Sequence, residues 1–284
     1  MIIVDQQKCT GCGLCQKICH EGCISIIDGS SSKAVEVNHA LCSTCTQCIA
    51  ICPRQALSWD RVLPASCEKD QLPGARQVEE LFKQRRTIRD FKPDRIERAL
   101  LEEIVRIGSY APTNNYHLRA IVVDDPNVLQ RFDTVILRSV RFYYQAFFKS
   151  RWVFAVLRHL TPKVSLKQKV KLEHGLARGR AFETPPAAMV LVIGDRRILL
   201  SEISAHYALY TMILYAQARG IASRIQSAGP ITLDKNNAAR RTLGLAKHER
   251  ILAALDLGYP AVRFRNKVEG KTLPIQWNGR SAYA

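Results

Sequence analysis

CTGCGLCQKIC (Cys9–Cys19) and CSTCTQCIAICP (Cys42–Pro53) share the spacing CxxCxxCxxxC and lie 33 positions apart. The offset extends beyond the cysteines: Ile2 and Val4 match Val35 and Val37, Asp5 matches Asn38, and Ile24 matches Leu57. The alternation ahead of each run predicts a short strand, and each run predicts a loop entering a short helix. Two such halves predict a pseudo-symmetric unit. Nine of the ten cysteines fall between Cys9 and Cys52. Crowding at intervals of three and four residues suits metal chemistry in a reducing compartment better than a disulfide framework.

The spacing, with the proline that closes the second run, resembles the bacterial-type two-cluster ferredoxins. In those proteins three thiolates spaced by two residues wrap one face of a cubane, and the fourth cysteine ligates the opposite cluster. The resemblance implies one [4Fe-4S] cluster on Cys9, Cys12, Cys15 and Cys52, and another on Cys42, Cys45, Cys48 and Cys19. Zinc is the alternative, since cysteine pairs bind it with similar spacing, although zinc sites usually take separated pairs. Cys23 occupies the repeat position of Ala56 and reads as a small buried apolar side chain, and Cys67 reads as a bystander thiol.

The chain has 284 residues, 47% hydrophobic and 24% charged, enough for one large domain and a small one. This composition excludes collagen, fibrous repeats and general disorder. No stretch is long and apolar enough for a membrane-spanning helix, and MIIVDQQKC lacks the basic and apolar regions of a signal peptide. A soluble cytoplasmic protein is expected. The net charge of +17 is uneven: residues 1–60 carry four basic and five acidic groups, and the remainder 38 basic and 20 acidic. WDRVLPASCEKDQLPGAR interrupts any periodicity with two prolines and a glycine, so a domain at 1–60, a linker at 61–75 and a second domain at 76–284 are expected.

Beyond Gly74, VEELFKQRR, IERALLEEIVRIGSYA and SEISAHYALYTMILYAQARG predict helices, the last with a serine cap and an end at Gly220. LRAIVVDD, AAMVLVIGD and ILAALDLG predict strands. RRTIRDF (Arg85–Phe91), APTNN (Ala111–Asn115), GIAS (Gly220–Ser223), LGYP (Leu257–Pro260) and a terminal Trp277, in that order, resemble the flavin-dependent nitroreductase family. More closely, the chain resembles the subgroup with a two-cluster ferredoxin domain fused ahead. The fold class expected is therefore α+β: a small bacterial-ferredoxin-like domain followed by an FMN-dependent nitroreductase-like α+β domain. The resemblance also implies an intertwined homodimer with flavins at the interface.

It further implies flavin contacts from Arg85, Thr87 and Arg89. A flavin mononucleotide phosphate carries about two negative charges, and the guanidinium groups of Arg85, Arg86 and Arg89 with the Thr87 hydroxyl suit it; a solvated basic helix end is the alternative. Asn115, in preference to Asn114, is expected at the isoalloxazine, because a side-chain amide both donates and accepts. RIQSAGP corresponds to the family loop that presents a backbone N–H to the flavin N5, which points to Ser227 and Ala228, although serine and alanine replace its more usual glycine-containing sequence. Lys271 stands where the family often has a phosphate-reaching basic residue; a solvated lysine is the alternative.

Residues 134–172 hold nine basic groups and no acidic one, and seven aromatic residues fall between Phe142 and Phe154. Arg138, Arg141, Gln145 and Lys149 follow helical spacing opposite Val140, Tyr144, Phe147 and Phe148. The segment reads as a helix packed on the dimer or over the flavin pocket, as a surface for an acidic redox protein or anionic substrate, or as a contact with an anionic membrane surface. No recognised nucleic-acid module accompanies the charge, so nucleic acid is not expected as a partner.

Clusters pass single electrons and a flavin converts them to pairs, so the expected function is reduction of an electrophilic small molecule: a nitroaromatic, a quinone or an activated alkene. The alternatives are an electron-transfer adaptor between redox proteins and a specialised flavin reaction such as reductive removal of a halide. NAD(P)H or reduced ferredoxin would supply the electrons. No side-chain acid or nucleophile is required.

Overall fold

The computed structural model describes residues 1–28, 33–60, 62–113, 117–160, 165–277 and 280–281. In the N-terminal unit the elements are β1 (Ile2–Val4), α1 (Leu14–Ile18), β2 (Ile24–Asp28), β3 (Lys33–Val37), α2 (Gln47–Ile51) and β4 (Leu57–Trp59). Strands β1 and β4 pair antiparallel, as do β2 and β3, so each ladder joins the opening strand of one half to the closing strand of the other. The registers obey the 33-residue offset: Ile2↔Trp59, Ile3↔Ser58 and Val4↔Leu57 become Val35↔Ile26, Glu36↔Ser25 and Val37↔Ile24.

The offset governs backbone conformation as well. Asp5 N donates to Ala56 O, and Asn38 N to Cys23 O. Positive φ angles recur at Gly11, Gly13 and Gly22 in one half and at Thr44, Thr46 and Gln55 in the other. The second half thus holds side chains in a left-handed conformation that favours glycine, which stores strain in the loops that carry the cysteines. The hydroxyls of Thr44 and Thr46 donate to the preceding carbonyls, each at 2.7 Å.

In the larger unit, α3 (Ala75–Gln84), α4 (Arg98–Ile107), β5 (Arg119–Val123), α5 (Pro126–Phe147), α6 (Arg151–Leu160), α7 (Leu166–Arg178) and β6 (Ala188–Asp195) come first. They are followed by α8 (Ser201–Ala218), β7 (Ala222–Ile225), α9 (Ala228–Lys235), α10 (Asn237–Thr242), β8 (Glu249–Gly258), β9 (Gln276–Trp277) and β10 (Arg280–Ser281). Four strands form an antiparallel sheet in the order β5-β6-β8-β7. β6 is apolar from Ala188 to Ile193 because both its faces are covered there, and turns polar only at its last residue, Asp195. Ala188, Val190 and Val192 pack in a core with residues of α4 and α8, and Met189, Leu191 and Ile193 pack in a second core with residues of α5 and α9. The result is a layer of helices on each side of one sheet.

Three expectations are corrected in detail. α3 stops at Gln84, since Arg85 turns to extended geometry and the chain leaves to bond Ile88 N to Ser223 O. α8 is not capped by Ser201: its N-cap is Leu200, with φ 63°, and Ser201 is the first helical residue. The Ser201 hydroxyl lies 2.8 Å from Ile198 O and 2.8 Å from His117 Nε2, so it serves the preceding loop and not the helix N–H groups. Of the expected aromatic stripe on α5, Phe148 is buried at its C-cap and Tyr144 donates to Glu173, but Phe147 is exposed. Phe148 and Phe154 with Tyr144, Leu157 and Leu172 make a small satellite core that holds α5, α6 and α7 together, while Trp152 stays 84% exposed.

Candidate functional site

Each cysteine run enters its helix through a left-handed residue, Gly13 ahead of α1 and Thr46 ahead of α2. That turn points the first three cysteines of a run into one cavity, while the fourth, at the helix C-cap, points away. Cys9, Cys12, Cys15 and Cys52 line one cavity, and Cys42, Cys45, Cys48 and Cys19 line another. The two cavities are alike in size, as the pseudo-symmetry demands. Among the described residues no three His, Cys, Asp or Glu side chains converge closely enough for a single metal ion. The sulfurs are instead distributed around the walls of two cavities, which suits a multi-atom inorganic core with soft thiolate ligands.

Burial raises the Cys15 thiol above its ordinary pKa and pushes Cys48 up to about 11, helped there by the neighbouring Cys45 and Cys42. At Cys19 burial acts upward, but hydrogen bonds from the Cys23 thiol and from backbone N–H groups prevail and the pKa falls. Buried thiols facing a cavity become ligands only when a cationic core replaces their protons, so loading these cavities releases protons.

The second candidate region is the β7 edge of the sheet. β7 is the edge strand, and Ile88 N donates to Ser223 O there. Phe91 bridges Pro260, Lys92 N donates to Tyr259 O, and Ala261 N donates to Asp90 O. RRTIRDF, GIAS and LGYP, far apart in sequence, are thus laced together by backbone hydrogen bonds. Gly258 makes the lacing possible, since a Cβ there would lie 2.7 Å from the Phe91 ring.

Arg85, Arg86 and Thr87 are half-buried beside this edge. Arg86 Nη1 donates to Lys83 O and Arg85 O, each at 2.8 Å, whereas Nη2 is buried with no partner among the described residues. An orphaned guanidinium donor fits an anionic group such as a phosphate. Arg89 is exposed and pairs with Glu183 at 3.5 Å. Ser227, exposed, and Ala228 follow β7 directly and open α9. Lys271 is not brought to the edge by any observed contact; it lies exposed in a tail tied to α3 through Lys267 and Glu80 at 2.7 Å. Asn114 and Asn115 lie outside the described residues.

One buried pair under this edge escaped the sequence reading. Arg224, on β7, donates twice to Asp256 Oδ2, at 2.9 and 2.7 Å, and its guanidinium lies 5.5 Å from the ring centroids of both Phe91 and Phe182. Burial pushes the Asp256 pKa up to about 6 against the opposing pull of Arg224. The signal was a lone carboxylate inside the apolar strand ILAALDLG, which demands a buried partner.

Two family descriptions match the chain. Residues 82–259 match the family described as the nitroreductase family, and residues 8–56 match the 4Fe-4S dicluster domain. The chain is 24% identical over 202 residues to iodotyrosine deiodinase 1 of Pongo abelii, covering 68% of this chain and 65% of that protein. It therefore spans less than two thirds of that relative's length. It is 30% identical over 70 residues to an uncharacterized ferredoxin of Methanocaldococcus jannaschii, covering 25% of this chain and 91% of the ferredoxin. Among solved structures, a nitroreductase with bound FMN from Bacteroides fragilis shares the fold, with a TM-score of 0.51, 23% identity, and coverage of 70% of this chain and 98% of that one.

Proposed function

Because the chain belongs to the nitroreductase family and carries a 4Fe-4S dicluster domain ahead of that family's domain, we propose that it is an FMN-dependent oxidoreductase whose [4Fe-4S] clusters relay electrons to FMN for reduction of an electrophilic small molecule. The substrate class is a nitroaromatic, a quinone or an activated alkene. The observation that carries the reading is the pair of cysteine cavities, each lined by three cysteines of one run and the fourth of the other. The clusters supply single electrons, and the flavin, once bound, supplies two-electron chemistry.

The chain's own residues divide the remaining work. Cys9, Cys12, Cys15 and Cys52 hold one cluster, and Cys42, Cys45, Cys48 and Cys19 the other. Arg85, Arg86, Thr87 and Arg89 hold the flavin phosphate, with the orphaned Arg86 Nη2 as the support for this placement. Asn115, Ser227 and Ala228 take the ring, and Lys271 is assigned a secondary phosphate contact. Residues 1–60 and 76–284 act as the two domains, in the cytoplasm. A homodimer is supported by the exposed Ile203, Tyr207 and Tyr210 of α8, large apolar side chains on the solvent face of a helix whose other face is buried.

The test is an anaerobic absorption spectrum of the purified protein, with iron, acid-labile sulfide and released flavin measured against protein. About eight irons and one FMN per chain are expected. Eight irons with no flavin, and none taken up from added FMN, would overturn the reading. Turnover of a nitroaromatic or quinone, with reduced ferredoxin or NAD(P)H as donor, then separates a reductase from an adaptor. An adaptor would instead speed reduction of an acidic carrier, with strong salt dependence.

A further inference from the structure

The two halves of the N-terminal repeat agree in register, in backbone hydrogen bonds and in the placement of positive φ angles, but beside the cysteines they differ at one telling position. Ala56 in one half corresponds to Cys23 in the other. Cys23 is 4% exposed, and its Sγ lies 3.3 Å from Cys19 Sγ. It lines the same cavity as Cys19, Cys42, Cys45 and Cys48. No cysteine plays this role in the other cavity, where the corresponding residue ends at a methyl group.

We propose that Cys23 is a positioning residue whose S–H donates to the ligating sulfur of Cys19 and raises the reduction potential of that cluster above that of its partner. The inference rests on the reading that the two cavities hold [4Fe-4S] clusters. Either sulfur can donate while both are thiols. Once Cys19 binds iron as a thiolate it has no proton, and Cys23 is then the only possible donor of the two.

Hydrogen bonds to cluster sulfurs are among the factors that set cluster potentials. A reduced cluster carries one more negative charge than an oxidised one, so a donor stabilises the reduced state more. Both fourth cysteines also accept a hydrogen bond from the backbone four residues on. Ala56 N donates to Cys52 Sγ at 3.3 Å, and the Cys23 backbone likewise bonds Cys19. The S–H is what the second cavity has and the first lacks. Electrons entering the chain would therefore settle first on the cluster held by Cys42, Cys45, Cys48 and Cys19.

The experiment compares full-length wild type, Cys23→Ala and Cys23→Ser, purified anaerobically, by iron and sulfide content and then by redox titration followed with EPR. The expected result is about eight irons in all three proteins, with one of the two midpoint potentials lowered in Cys23→Ala and the other unmoved. Cys23→Ser, which keeps a hydroxyl donor, is expected to restore the lowered potential at least in part. Unchanged potentials in Cys23→Ala overturn the inference and leave Cys23 as a space-filling residue like Ala56. Loss of about half the iron in Cys23→Ala overturns it by making Cys23 a ligand. A wild-type protein without iron overturns the cluster reading itself, and that result is known before any variant is compared.

Discussion

The N-terminal unit and the larger unit join site and core in opposite ways. In the first 60 residues the cysteines belong to the core: Cys15, Cys23 and Cys48 are buried with Ile2, Ile24, Val35, Ile49 and Leu57, and four more cysteines pack against them. In the larger unit, a pair of apolar cores sandwiches β6, and Arg85, Arg86 and Thr87 lie beside the β7 edge of the sheet and belong to neither core. A small unit with so few apolar side chains depends on its inorganic contents for stability, whereas a sheet covered on both faces does not. The site is structural in the one and an addition to a finished structure in the other.

The strongest way to break this contrast is to remove the iron. Cys48→Ser, or stripping of iron and sulfide by a chelator, is expected to unfold the N-terminal unit completely while the larger unit stays folded. Limited proteolysis should then digest residues 1–60 and leave a resistant fragment starting in the linker. An iron-free N-terminal unit that keeps its protease resistance and its own cooperative transition would refute the contrast.

A second test acts on the larger unit alone. Asp256→Ala strands the Arg224 guanidinium, which is expected to cost about 3–5 kcal/mol of stability with no loss of iron. Asp256→Asn sharpens this through pH. The Asp256 pKa rises on folding from the ordinary 3.8 to about 6, so its contribution to stability is complete below the unfolded value and is lost as pH rises through the folded one. Measured between about pH 4 and pH 6, the wild-type unfolding midpoint should therefore fall relative to that of Asp256→Asn. An unchanging difference between the two proteins would place the Asp256 pKa outside that window.

The smallest expected effect separates two residues proposed for the same cofactor. Arg86→Ala removes the orphaned donor and is expected to weaken FMN binding about tenfold to a hundredfold, the value of one charge-assisted hydrogen bond. Lys271→Ala, in an exposed tail, is expected to change it less than about twofold. A fluorescence titration with FMN measures both, and equal losses would mean that the tail closes over the phosphate.

Most of the N-terminal unit was legible in the sequence. Its repeat carries the strand positions, the helix starts and even the register of two ladders, because a side-chain alternation copied at a fixed offset specifies the same pairing twice. In the larger unit, segments such as AAMVLVIGD were legible as strands, since a run buried on both faces must be apolar throughout. The cap of α8 was not. Ser201 is a capping residue by type, but the loop from Asp195 claims its hydroxyl and leaves Leu200 at the N-cap. The end of α3 was likewise obscured, because the pattern VEELFKQRR continues helical spacing through residues that the sheet edge draws away.

The sequence by itself determined what is local or repeated: the cysteine spacing, the pseudo-symmetric halves, the charge contrast between the two units and the presence of an α+β domain. Short-range spacing suffices there, because a turn and a helix start are decided by neighbouring residues. Tertiary structure alone decided that Ile88 meets Ser223, that Phe91 meets Pro260, and that Arg224 is sealed against Asp256 between two aromatic rings. Those contacts depend on the order β5-β6-β8-β7, in which β8 is inserted between β6 and β7. Non-local pairing of this kind is selected by burial of both faces of the sheet at once, which no single segment of the chain encodes.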